Sequence, residues 1–135
     1  MTLVQILEKT TASRIELSAY VAIRNLKFGV SKKSGNPKAI CQSFSKDTNK
    51  RGKTSLSKYV TMIEFYPKMK VKVACSCADH LYRWEYALVK RGASEFQYSN
   101  AELPVDTNPK LVPGCCKHVI SLATTLRRQK LLPKT

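Results

Sequence analysis

The segment Val71-Lys72-Val73-Ala74-Cys75-Ser76-Cys77 is the most informative part of the chain, because it is typical of a β-strand that ends in a tight turn with two thiols. Residues two apart on a strand point to the same face, so Cys75 and Cys77 present their sulfur atoms together. A second pair, Cys116 and His118, stands where a helical pattern opens. A thiolate gains there from free N–H groups and from the positive end of the helix dipole. Three thiolates and an imidazole make a closed structural zinc site, so the sequence predicts Zn²⁺ on Cys75, Cys77, Cys116 and His118.

The cysteines allow other interpretations. Disulfides are disfavoured because the chain has five cysteines, an odd number, and we expect no export signal. Buried core thiols are common and remain an alternative. A catalytic Cys/His pair is disfavoured, because no third orienting group stands out and a saturated site leaves no open coordination position. A structural metal site is therefore the favoured interpretation.

Residue spacing alone leaves two questions about the ligands open. Cys115 and His118 are three apart, so on a continuous helix they share a face better than Cys116 and His118 do. Cys116 becomes a ligand only if it precedes the helix and His118 lies in the first turn. His80 is the second imidazole that competes for the metal, whereas Cys41 lies in a distant alternating segment and is interpreted as a packed or half-exposed thiol.

The C-x-C and C-x-H pairs resemble the SWIM zinc finger, in which the first pair lies on a β-hairpin and the second opens a helix. A closer likeness, to uncharacterised SWIM-like proteins of large tailed bacteriophages, covers residues 71–126. In that pattern the cysteine directly before Lys-His is the ligand, which favours Cys116. The C-x-C and C-x-H pairs are further apart here than in most SWIM fingers. This difference weakens the expectation that the chain binds nucleic acid as SWIM domains do, but it does not weaken the expectation of zinc binding. The blocks that carry this likeness are Cys75-Ser-Cys-Ala-Asp-His-Leu-Tyr-Arg-Trp-Glu-Tyr, Gly92-Ala-Ser, Tyr98-Ser-Asn, Asn108-Pro-Lys and Pro113-Gly-Cys-Cys-Lys-His.

Length and composition predict one globular domain over residues 1–135. The chain is 43% hydrophobic, which argues against wholesale disorder. It has no apolar run near the roughly 20 residues that span a bilayer. The segment Leu3-Val4-Gln5-Ile6-Leu7-Glu8 is too short and polar for a signal peptide. We therefore expect free thiols, a reducing compartment such as a cytoplasm, and no membrane partner.

Positive charge is the second informative feature. The formal net charge is +15, and Arg24 to Lys58 contains ten Lys or Arg residues against one acid, Asp47. Such a chain attracts acidic protein surfaces or the DNA or RNA backbone. Most of these cations are lysines and few aromatic residues accompany them, so we expect contacts with phosphates rather than with base edges. The alternative is a loop surface that is only solvated. The candidate partner-binding residues flank Gly52 in a predicted turn: Lys50, Arg51 and Lys53.

Periodicity predicts an α+β fold, a small antiparallel β-meander with flanking helices, stapled by zinc. Helical spacing covers Thr2–Lys9. Residues 14–27 fit a helix, with Ser13 and Glu16 as a capping box and Gly29 as its stop, and fit a strand nearly as well. Alternation predicts strands at Ala39–Ser45, Lys58–Tyr66 and Lys70–Cys75. A helix capped by Asp79 runs through Arg91 and ends at Gly92, and the last helix buries Val119, Leu122, Ala123 and Leu126.

These elements divide the chain into an N-terminal helical segment (1–30), a basic meander (31–74) and a zinc-binding module (75–130). No paired carboxylates or Gly-rich phosphate loop supports an enzyme or a small-molecule substrate. With the family resemblance, the favoured hypothesis is a structural protein of a tailed-phage virion, assembled in the host cytoplasm and docked on acidic virion proteins. The alternative is a nucleic-acid-binding accessory protein without sequence specificity. The sequence leaves open which part of the particle, which partner and what copy number.

Overall fold

The structure is a computed structural model that describes residues 1–48, 51–95, 104 and 107–132. Its helices and strands follow the chain as α1 Leu3–Lys9, α2 Ala12–Ser18, β1 Ala22–Val30, β2 Pro37–Thr48, β3 Thr54–Phe65, β4 Val71–Cys75, α3 Glu85–Lys90 and α4 Lys117–Arg128. A 3₁₀ turn at Pro67–Met69 precedes β4, and a π-helical turn at His80–Trp84 leads into α3. The α+β class and the antiparallel meander are confirmed.

The four strands form one antiparallel sheet in the order β1-β2-β3-β4. The β2–β3 hairpin is long, with paired residues from Lys38 and Glu64 to Thr48 and Thr54. Its neighbours are shorter: β1 reaches only as far as Phe44 of β2, and β4 only as far as Thr61 of β3. The outer half of the hairpin therefore extends beyond the four-stranded part of the sheet.

The helix favoured over residues 14–27 is correct only as far as Ser18 and wrong beyond it. Helix α2 ends at Ser18, and Ala22–Val30 is a strand with a bulge between Arg24 and Lys27. The capping box at Ser13 is also wrong, because Thr11 is the N-cap and makes no side-chain capping bond. Pairing with β2 satisfies backbone groups along β1, and this tertiary gain outweighs a weak helical preference.

The helix after the first thiol pair begins and ends near the expected residues. Gly92 has φ +70°, the left-handed conformation that suits a helix end. Asp79, however, makes no capping hydrogen bond. Its carboxylate accepts from Arg14 at 2.9 Å and from Trp84 Nε1 at 3.1 Å, and pairs with Arg83 at 3.2 Å. Asp79 thus ties α2 to the π-helical turn instead of capping the helix.

Helix α4 supplies one side of the core. Its predicted apolar stripe is confirmed, since Val119, Leu122 and Leu126 are fully buried and Ala123 is 5% exposed. These side chains belong to one cluster with Ile63 and Val73 of the sheet and with Leu88 of α3. The start of α4 is thereby held against the end of β4. Among the described residues, no helix is long and apolar enough to cross a membrane.

Candidate metal centre

The four predicted ligands meet at one buried point. One ligand atom from each of Cys75, Cys77, Cys116 and His118 lies within 4.8 Å of the others. Their exposed fractions are 0%, 3%, 0% and 2% in that order. The end of β4 places the first pair, and the N-terminus of α4 places the second. The arrangement can hold a metal ion between sheet and helix.

The backbone at the start of α4 decides between the two adjacent cysteines. Cys116 is the N-cap and is extended, with φ −78° and ψ 167°, so it precedes the helix while His118 lies in its first turn. The Cys115 thiol lies instead 3.6 Å from Thr10 Oγ1, which also accepts the Cys115 backbone N–H at 3.1 Å. Burial raises the pKa of Cys115 to about 12, so it stays a neutral core thiol.

The imidazole of His118 fits a metal through one defined atom. Its Nε2 lies 2.8 Å from Ser45 Oγ, whereas its Nδ1 is buried without a hydrogen-bond partner in the described part of the chain. A buried ring nitrogen without a partner is costly unless it binds something. With Nδ1 on a metal, Nε2 carries the proton and donates to Ser45, the usual second contact of a ligating histidine.

Two of the three thiols, Cys75 and Cys116, have pKa values shifted in opposite directions. Burial alone raises the pKa of Cys75, but hydrogen bonds from Cys116, Cys77 and Thr61 outweigh it and lower that pKa well below the ordinary value. Burial, and then the neighbouring Cys75 and Cys77, raise the pKa of Cys116 far above it. Without a metal the Cys75 thiolate is therefore favoured and the Cys116 thiolate is disfavoured. A divalent cation removes that restriction, because it stabilises all three thiolates together.

Hydroxyl groups on the core face of the β2–β3 hairpin support the ligands. Thr61 Oγ1 lies 3.4 Å from Cys75 Sγ and 2.8 Å from Ser43 Oγ, which in turn lies 3.7 Å from Cys41 Sγ. Cys41 is therefore buried and hydrogen-bonded, but it is not a ligand. Sequence reasoning missed Ser45 and Thr61 as supporting residues. The available signal was the row of small polar residues that alternates along β2.

The competing imidazole, His80, lies outside the four-ligand cluster. Its ring is fully buried, and within the described residues neither ring nitrogen has a hydrogen-bond partner. Burial lowers the pKa of His80 despite the opposing charges of Cys77, Glu85 and Asp79, so the ring is neutral. Its backbone N–H lies 3.4 Å from Cys77 Sγ. His80 thus contacts the ligand Cys77 through its main chain.

Two further contacts hold the segments that carry the ligands. A Cβ on Gly114 would lie 2.8 Å from Trp84 Cζ3, so only glycine lets the chain before Cys115 pass this close to the indole. Burial raises the pKa of Asp79, but the hydrogen bonds and charge of Arg14, with help from Trp84 and Arg83, leave that pKa below its ordinary value. The carboxylate therefore stays charged and paired at neutral pH.

Two of the three candidate partner-binding residues lie within the described part of the chain. Arg51 and Lys53 are exposed at the turn between β2 and β3, whereas Lys50 lies outside the described residues.

Comparisons with protein-family models, with curated proteins and with solved structures return no match. The site itself is therefore the main guide to function.

Proposed function

We propose that this chain is a non-enzymatic assembly protein whose Cys₃His cluster holds a structural zinc ion. The buried cluster of Cys75, Cys77, Cys116 and His118 carries the proposal. Thiolate and imidazole donors suit zinc, and four protein ligands complete its tetrahedral shell. Such a site has no position left for substrate or water, so its role is to stabilise the fold.

The bound ion supplies cross-linking here, not chemistry. Cys75 and Cys77 follow β4, while Cys116 and His118 begin α4. A metal held by both pairs fixes the sheet to the last helix, and Ser45 extends the connection to β2. The protruding hairpin then rests on a rigid base. This is the property that an assembly protein needs when it docks through an extended element.

The docking surface of the proposal is basic. Around the outer half of the hairpin, Arg24, Lys46, Arg51, Lys53 and Lys58 are exposed. A predominantly cationic surface attracts an acidic partner and steers its approach. The sequence resemblance to SWIM-like phage proteins makes a tailed-phage virion the proposed setting, with acidic virion proteins as the partners.

Location and metal content test the proposal together. Particles purified from the virus or cell that encodes the chain should contain it in a fixed ratio to a major structural protein by quantitative mass spectrometry. Recombinant protein should contain one equivalent of zinc by elemental analysis. A chain absent from particles but co-purifying with DNA or RNA in a salt-sensitive manner would contradict the assembly role and favour the nucleic-acid alternative.

A further inference from the structure

The β2–β3 hairpin has an open backbone edge next to α2. Strand β1 ends its pairing at Ala22, opposite Phe44, but β2 continues to Thr48. Among the described residues, positions 45–48 of β2 are therefore paired with β3 on one side only. Unpaired edge groups of this kind are templates for another extended chain.

The chain itself turns away from this edge. After α2 the N–H of Tyr20 donates to Leu17 O at 3.1 Å, and the N–H of Val21 donates to Ser18 O at 3.2 Å. Ser121 Oγ of α4 then donates to Val21 O at 3.4 Å. These contacts direct the approach to β1 towards α4, and among the described residues no segment before Ala22 pairs with β2.

A groove of about 680 Å³ lies beside the open edge. Several of its apolar side chains are well exposed: Tyr20 at 82%, Leu56 at 67% and Leu17 at 48%. Large exposed apolar groups that gather in one groove mark a binding site. The complete lining is Leu17, Tyr20, Ala22, Arg24, Phe44, Ser45, Lys46, Leu56 and Lys117.

Charge identifies the class of occupant. The charged residues that line the groove are Arg24, Lys46 and Lys117, which are all cationic. A complementary ligand must therefore offer carboxylates or phosphates beside apolar groups. Leu17 and Leu56 gain from aliphatic side chains. Tyr20 and Phe44 can stack on bases, but only a polypeptide can also pair with the open backbone edge beside them. The mixture favours a polypeptide.

We propose that this groove binds an extended acidic segment of a partner protein, which adds as a strand to β2 beside residues 45–48. This inference rests on the proposed docking role and names the contact that performs it. The backbone of the segment pairs with the edge. Its carboxylates lie on the face of the sheet that carries Arg24 and Lys46, and its alternate apolar side chains lie on the opposite face, towards Leu17 of α2.

Synthetic peptides test the inference directly. An octapeptide that alternates glutamate and valine should bind, and fluorescence anisotropy measures its affinity. Replacing every glutamate by lysine, or every valine by serine, should each weaken binding by about tenfold or more. N-methylation of alternate amides gives the sharpest readout, because in an added strand only every second N–H faces β2. One methylated set should abolish binding and the other should preserve it.

Matched variants locate the contact. Leu56→Glu should weaken peptide binding about tenfold or more, with an unchanged melting temperature. Val30→Glu is the control, because Val30 is 69% exposed, close to the 67% of Leu56, and lies at the other end of β1. Equal loss in both variants would overturn the inference, as would no effect in either.

Three results would overturn the binding of an acidic segment at this groove and would leave the proposed function intact. They are no binding of the glutamate–valine peptide, equal sensitivity to both methylation sets, and tighter binding of an oligothymidylate than of the peptide. In each case, fixed stoichiometry in purified particles would still support an assembly role through another surface. Absence from particles together with peptide binding would instead overturn the virion setting alone.

Discussion

Ser45 Oγ lies 2.8 Å from Nε2 of His118, although 73 positions separate the two residues in the chain. Both side chains are buried, at 3% and 2% exposure. The contact engages Nε2 of the imidazole, which leaves the buried Nδ1 as the nitrogen available to a metal among the described residues. It also joins the protruding hairpin to the metal centre, which links the site to the proposed docking surface.

Replacing the supporting hydroxyl should weaken metal binding without abolishing it. Ser45→Ala removes the acceptor of the His118 N–H, and loss of such a contact typically costs about 10–100-fold in metal affinity. Competition with a chromophoric chelator measures this affinity. Ser55→Ala, at an exposed position on β3, should leave it unchanged. Equal affinities of Ser45→Ala and the unaltered chain would contradict the assignment of Nδ1 as the ligand atom.

Removing the metal should unfold the protein. Structural zinc contributes about 10–16 kcal/mol in small domains, which is comparable with a whole domain stability of about 5–15 kcal/mol. A strong chelator should therefore abolish the cooperative thermal transition seen by circular dichroism, and Cys77→Ser should do the same. A metal-free chain that melts at the original temperature would show that the four-residue cluster is an ordinary core contact.

The adjacent cysteines should behave differently. Cys116→Ser should lose the metal, because Cys116 supplies one of the four clustered ligand atoms. Cys115→Ser should retain one equivalent, since the Cys115 thiol contacts Thr10 instead. The serine variant at 115 buries a hydroxyl and should lose no more than about 1–3 kcal/mol of unfolding free energy. Metal loss in Cys115→Ser alone would shift the ligand assignment by one residue.

Gly114 should tolerate no side chain. Gly114→Ala places a Cβ 2.8 Å from Trp84 Cζ3, and overpacking of this kind costs about 1–3 kcal/mol. Chemical denaturation measures the loss, and a changed Trp84 fluorescence should accompany it. Gly29→Ala is the matched control, because a Cβ there meets nothing within 4 Å. Similar stabilities for the two variants would contradict the close approach.

Charge reversal at the hairpin turn should separate docking from folding. Changing Lys50, Arg51 and Lys53 together to glutamate should reduce incorporation into particles, because an acidic partner would then be repelled. Metal content should be unchanged and unfolding free energy should move by no more than about 0.5 kcal/mol per exposed site. The control reverses three exposed lysines elsewhere: Lys9, Lys90 and Lys110. Full incorporation of the turn variant would place the docking surface elsewhere.

The sequence by itself determined the elements whose pattern is local and strong. Alternation located the core of β2, β3 and β4, and the apolar stripe located α4. The C-x-C and C-x-H pairs identified the four residues that form the buried cluster, because a strand end and a helix start each orient two side chains without reference to the rest of the chain. Where spacing was ambiguous, as at Cys115 and Cys116, residue periodicity alone left the choice open.

Tertiary structure decided everything that depends on a partner distant in sequence. Residues 14–27 fit a helix or a strand by pattern, and pairing with the edge of β2 made Ala22–Val30 a strand. Aspartate is a common N-cap residue, but the Asp79 carboxylate accepts a hydrogen bond from Arg14, 65 positions earlier in the chain. Ser45 is an unremarkable strand serine until α4 brings His118 against it. Local propensities amount to less than about 1 kcal/mol per residue, so buried hydrogen bonds and strand pairing between distant segments prevail wherever the two compete.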